Sequence, residues 1–150
     1  MKLYFAHNFN NRKEFRELEL KLEKELGIEL YNPFYDDPDR EEEMRELDNR
    51  LANAKDRMQA FENRFNRDND SAEMIVKRDL TALASCEGLV TIVEKPSFGT
   101  TIEICNAVLM RKPVYFISEI YSNHPWIKVY ATQCFKTIDE FKEAVREKKL

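Results

Sequence analysis

Gly88-Leu-Val-Thr-Ile-Val-Glu-Lys-Pro-Ser-Phe-Gly-Thr-Thr-Ile-Glu103-Ile-Cys-Asn-Ala107 reads as strand, short loop and helix, and the rest of the chain is organised around it. Leu89 to Val93 is a β-branched, apolar run of the kind buried on both faces of a parallel sheet. Pro96-Ser97-Phe98-Gly99 ends it, and Thr100 or Thr101 is placed to cap the helix that follows. Glu103 then falls in the first turn, where the helix dipole favours a carboxylate and free amide N–H groups can hold a phosphate or a hydroxyl. A plain capping carboxylate is the commoner meaning of such a Glu, so its weight rests on its surroundings.

Outward from this stretch, strands and helices alternate. Lys2 to Ala6 reads as the first strand. Arg12 to Leu26, with Phe15, Leu18, Leu22 and Leu26 at helical spacing, reads as the first helix. Ile28 to Tyr31 is a second strand ended by Asn32-Pro33. A helix over Ser71 to Cys86, the strand at Leu89, a helix over Thr100 to Met110 and a strand over Pro113 to Ile117 follow, then a short strand near Gln133-Cys134-Phe135 and a last helix from Ile138. Gly27 and Gly88 each stand between a helical pattern and a strand, where positive φ would end the helix. The fold class expected is α/β: a doubly wound, flavodoxin-like, five-stranded parallel sheet of order 2-1-3-4-5. Such a sheet opens its ligand crevice at the carboxyl ends of strands 1 and 3, here Ala6-His7-Asn8 and Glu94 to Gly99.

Residues 36–70 stand outside the alternation. Their few apolar side chains, Met44, Leu47, Leu51, Ala54, Met58, Phe61 and Phe65, recur at alternating intervals of three and four. That is a heptad seam on a long charged helix, folded against its own domain or packed on a second subunit. The chain is expected to be a single domain over 1–150 carrying this insertion.

Composition narrows the function classes. The 150 residues are 43% hydrophobic and 35% charged with a net charge of -4, which describes a soluble globular protein and argues against a general nucleic-acid binder. No apolar run is long enough to span a bilayer and no signal peptide is readable, so no membrane partner and a cytoplasmic location are expected. Cys86, Cys105 and Cys134 show neither Cys-x-x-Cys nor Cys/His spacing; they are expected to be reduced and mostly buried, with no structural metal. Three glycines cannot spell a dinucleotide fingerprint or a P-loop, and Gly99 alone lies in a loop leading into a helix. No cofactor is called for; a small-molecule substrate is.

Glu103 has three candidate helpers. Asp79 lies on the helix before strand 3, sharing a face with Ile75 and Leu83, beside the apolar Leu80 and Ala84, and is either a buried polar group with a partner or a site residue. Tyr4 on the first strand either packs or reaches the crevice. Ser97, just before the helix, either binds an anionic oxygen or shapes the turn. Two carboxylates at one crevice, with no metal cluster and no nucleophile elbow, suit chemistry at the anomeric carbon of a sugar: one attacks, the other carries the leaving group's proton.

Leu3-Tyr4-Phe5, Asp79-Leu80 and Pro96-Ser97-Phe98-Gly99-x-x-x-Glu103-Ile-x-x-Ala107 together resemble the nucleoside 2-deoxyribosyltransferase family, including its relatives that hydrolyse deoxynucleoside 5′-monophosphates. The resemblance implies a doubly wound sheet and a Glu103 that forms a covalent deoxyribosyl intermediate. It makes Asp79 the acid that protonates the departing base, and Tyr4 the group that orients Glu103. Ser97, with Gly99 beside it, is implied in binding the 5′-phosphate in the hydrolase branch, and His7 and Asn8 fall at the substrate end of strand 1. Members are homo-oligomers whose sites borrow residues from a neighbour, for which Asn123 is the candidate here. The loop His7-Asn8-Phe9-Asn10-Asn11-Arg12 departs from the glycine-rich, Ser- and Arg-bearing loop of the monophosphate hydrolases, which counts against phosphate recognition there.

Overall fold

The computed structural model describes residues 1–37 and 69–150, without the side chains of 69–71. The heptad seam at 44–65 and the helix expected to carry it lie outside the described residues. In chain order the elements are β1 (Lys2–Ala6), a 3-10 turn (Phe9–Asn11), α1 (Arg12–Leu26), β2 (Glu29–Tyr31), α2 (Asn69–Ser85), β3 (Gly88–Ile92), α3 (Phe98–Leu109), β4 (Val114–Ile117), α4 (Pro125–Tyr130), β5 (Gln133–Phe135) and α5 (Ile138–Arg146).

All strand pairs are parallel and their order is β2-β1-β3-β4-β5, the expected doubly wound sheet. Alternation along each strand sends side chains to two separate cores. Leu3, Phe5, Val90, Ile92, Tyr115 and Ile117 pack under α1 and α5, with Phe15, Leu22 and Phe141. Tyr4, Ala6, Leu89, Val93, Val114 and Phe116 face α2 and α3, with Leu83, Ile104 and Ala107. β3, in the middle, is buried along its whole length, which is why its sequence reads as a continuous apolar run.

Several local expectations are corrected. Gly27 has φ 65° and ends α1 through its N–H to the Glu23 carbonyl (2.9 Å), but Gly88 is not in the left-handed region. It is needed for space: a Cβ there would stand 2.9 Å from both Cγ and the carbonyl oxygen of Pro113. On α2, Ala84 is exposed and Ala82 packs on the core in its place. Of the three free cysteines only Cys86 is buried; Cys105 is half-buried and Cys134 exposed. The stretch around His124-Pro125 forms the short helix α4, with Pro at the first position where its missing N–H costs nothing.

β2 is a three-residue edge strand, and polar groups tether its end. Glu19 of α1 is fully buried, and its two oxygens accept from Arg16 Nη1 (2.6 Å) and Asn32 Nδ2 (2.7 Å). Asp36 shares Arg16 (2.8 Å) and accepts from the Asn32 backbone N–H (2.8 Å). Burial pushes the Glu19 carboxyl up to about 8; the Asn32 hydrogen bond and the Arg16 charge oppose this, and Asp36 adds to it. A carboxyl whose folded value lies above its unfolded one favours folding at low pH, and that contribution is lost as pH rises from about 4.5 through about 8. Glu19→Gln is expected to flatten this slope. Urea midpoints measured across that range for both proteins check it; parallel curves would contradict it.

Candidate active site

The Tyr4 phenol donates to Glu103 Oε1 at 2.7 Å, joining the first strand to the helix after the third. Tyr4 is wholly buried and Glu103 half-buried. The contact exists because β1 and β3 are neighbours and position 4 faces the α2/α3 side of the sheet.

Glu103 is not in the first turn of its helix. Ser97, extended at φ -133° and ψ 152°, is the N-cap, so α3 begins at Phe98 and Glu103 lies in the second turn. Thr100 and Thr101 are not caps. Ser97 Oγ accepts from the Thr100 N–H (3.4 Å) and donates to Thr100 Oγ1 (2.9 Å), and Thr101 Oγ1 donates to the Ser97 carbonyl (2.9 Å). Ser wins because it stands in extended backbone right after Pro96, whereas both threonines are already helical. The dipole field fades within the first turn, so Glu103 is placed by Tyr4 more than by the helix end.

Asp79 is half-buried on α2, one turn before the fully buried Leu83, and α2 packs against α3. Both carboxylates thus stand on neighbouring helices over the same face of the sheet. Gly99 is exposed at the second position of α3, with open space where a Cβ would be.

His7 is not brought to this group. Its position sends the ring to the other face, where it packs 4.9 Å from Phe15, 5.0 Å from Phe5 and 5.1 Å from Phe34. Its Nδ1 donates to the Asn8 carbonyl (3.1 Å), and burial lowers it to about 4, so the ring is neutral near pH 7. Asn8 uses its side chain to accept from the Asn10 N–H (2.9 Å), starting the 3-10 turn. Asn123 is exposed just before α4.

Two cavities lie near the carboxyl edge, the first at the crevice expected from the strand order and the second at a place the sequence did not indicate. Asn8, Asn10, Asn11, Glu94 and Lys95 line a polar cavity of about 180 Å³ at the ends of β1 and β3. Between α3 and α4 lies an apolar cavity of about 480 Å³ lined by Ile104, Phe116, Tyr121, Trp126 and Tyr130, among others, but not by Glu103. The signal that could have pointed to it is the aromatic cluster of Tyr121, Trp126 and Tyr130 before β5. Among the described residues there is no cluster of His, Cys, Asp and Glu able to hold a metal ion, and no helix long and apolar enough to cross a membrane.

The fold and a tyrosine-buttressed carboxylate at its switch point define a doubly wound α/β protein with a candidate acid/nucleophile site. Among solved structures, the 2-deoxyribosyltransferase of the psychrotolerant bacterium Bacillus psychrosaccharolyticus is similar in fold, with a TM-score of 0.58 over 95% of this chain and 90% of that one at 17% identity. No family model and no curated protein matches the chain.

The cap makes a separable prediction. Ser97→Ala is expected to cost about 1 kcal/mol of stability, and Ser97→Asp, which still caps, much less. Denaturant midpoints measure both; equal midpoints for Ser97→Ala and wild type would remove the capping role.

Proposed function

We propose that this protein cleaves the N-glycosidic bond of a 2′-deoxynucleoside and transfers the deoxyribosyl group to another nucleobase. The observation that carries the reading is the 2.7 Å hydrogen bond from Tyr4 to Glu103, with Asp79 on the adjoining helix. The fold shared with a 2-deoxyribosyltransferase supports it.

In this mechanism the Glu103 carboxylate, held by the Tyr4 phenol, attacks the anomeric carbon. As that C–O bond forms, the C–N bond breaks, its electron pair goes to the base nitrogen, and Asp79 delivers a proton to the base. The ester to Glu103 is then opened by a nitrogen of the incoming base, whose proton returns to Asp79. Water in place of that base gives free deoxyribose, which is the hydrolase outcome. Ser97 spends its hydroxyl on the cap, which counts against its holding a 5′-phosphate.

The experiment incubates a pyrimidine deoxynucleoside with adenine or hypoxanthine, beside intact-protein mass spectrometry after brief mixing with a 2′-fluoro-2′-deoxynucleoside. A new deoxynucleoside, and one fluorodeoxyribose adduct absent from Glu103→Ala, are expected. Free deoxyribose alone means a hydrolase. No turnover of free or 5′-phosphorylated substrates sinks the reading and leaves a binding module. Glu103→Ala is expected to lose roughly a thousandfold or more in kcat, and Asp79→Asn about a hundredfold or more.

The same reading includes a homo-oligomer. Phe98, Ile102 and Leu109 share the outer face of α3, which packs on α4, where Trp126 and Val129 are exposed; Phe98 is 90% exposed and Val129 80%. A monomer rarely leaves so much apolar surface uncovered. A second copy seated there lies beside Asn123, the residue proposed to complete a neighbour's site. Sedimentation velocity is expected to give a dimer or larger for wild type and a monomer for Ile102→Glu with Val129→Glu; a monomeric wild type removes this part.

A further inference from the structure

Tyr31, the last residue of β2, pairs in register with Tyr4. The two rings are stacked, with centroids 6.0 Å apart and planes at 25°. Tyr4 is wholly buried, whereas Tyr31 is half-buried and is packed against the same core. On Tyr31 lies the Lys2 ammonium, 5.6 Å from the ring centroid and itself 2.6 Å from Glu29 Oε1. A line of contacts therefore runs from the sheet edge to the candidate nucleophile: Lys2, Tyr31, Tyr4, Glu103.

The geometry points to Tyr31 as a positioning residue for the Tyr4–Glu103 pair. A phenol is a long lever on a short strand. A ring swing of about 10° carries the hydroxyl oxygen by about 1 Å, enough to lose a hydrogen bond and, in a reacting site, to cost about a hundredfold in rate. The flat wall that Tyr31 sets against the Tyr4 ring opposes that swing, an arrangement worth about 1 kcal/mol in aromatic pairs. An aliphatic side chain of similar bulk fills the space without supplying a parallel face.

Tyr31 is itself held. It sits on a strand that, among the described residues, pairs only with β1, and the next residue is clamped: Asn32 Nδ2 donates to buried Glu19 and Asn32 N–H to Asp36. The buried polar network under β2, otherwise a costly feature with no part in the chemistry, fixes the backbone from which Tyr31 projects.

This inference rests on the deoxyribosyl-transfer reading for its rate effects but not for its geometric test. The carboxyl titration of Glu103, followed by carbon NMR with Glu103→Gln to assign the signal, needs no substrate. Removing the phenol donor in Tyr4→Phe raises the midpoint, since a hydrogen bond to the charged form is lost. Tyr31→Leu is expected to raise it in the same direction, and Tyr31→Phe to leave it unchanged; Tyr31→Met serves if the Leu variant does not fold.

On a deoxynucleoside, Tyr31→Leu is expected to lower kcat by about ten- to a hundredfold with KM within about threefold. On a Tyr4→Phe background it adds nothing, because its effect passes through that phenol. A Glu103 titration unmoved by both Tyr31→Leu and Tyr31→Met, or the same kcat loss with and without the Tyr4 hydroxyl, overturns the role. A wild type that turns over no nucleoside defeats the proposed function while leaving the titration to decide this point.

Discussion

A hydroxyl on the first strand and a carboxylate on the helix after the third stand 2.7 Å apart, and that contact depends on β1 and β3, whose paired residues include Tyr4 and Leu89, being sheet neighbours. In a purely sequential sheet β1 would pair with β2 alone. The reversal of winding that puts β3 on its other side also brings the carboxyl ends of β1 and β3 together, with no strand between them to fill the gap. Topology supplies the juxtaposition; the parity of position 4 then decides that a tyrosine rather than its neighbour Phe5 enters it. A register slip of one residue on β1 would hand the helix an apolar ring and bury the phenol in the opposite core.

Much of the frame is legible in the sequence because it is periodic. The all-apolar run at Leu89, the helical spacing of Phe15, Leu18 and Leu22, and the short turns at Gly27 and Asn32-Pro33 each express a local rule, and their alternation implies a parallel sheet. Glu103 and Tyr4 were legible as candidates, and the family resemblance paired them, whereas strand pattern alone left Tyr4 either packing or reaching the crevice. What stayed hidden belongs to distance in space. Nothing around Gly88 announces Pro113 at 2.9 Å, and nothing at Tyr31 announces the ring of Tyr4. Cap choice was misread for a local reason: Ser97, Thr100 and Thr101 are all competent caps, and only the backbone angle at Ser97 selects among them. His7 was legible as the end of β1, but not the packing of its ring among Phe5, Phe15 and Phe34, which strand alternation extended one residue further would place on the α1 side.

The two faces of α3 serve different ends. Its inner side, through Ile104 and Ala107, belongs to the core, and its flank carries Glu103 to Tyr4. Its outer side is apolar without being buried, which is unusual for a helix of a lone globular domain. One short helix thus presents three different sides: one to the core, one to Tyr4 and one that is apolar and exposed.

The sheet is also a partition. His7 and Glu19, two side chains whose ionisation burial disturbs, lie with α1 on one side, while Tyr4, Asp79, Glu103 and both flanks of α3 lie on the other. Inheritance can act on the halves separately. Exposed residues of α2 and α3 can vary on one side while the buried polar network of Glu19, Asn32 and Asp36 stays intact on the other. The strands between them transmit little more than position. A chain arranged in this way can change what it does without first renegotiating how it stands up.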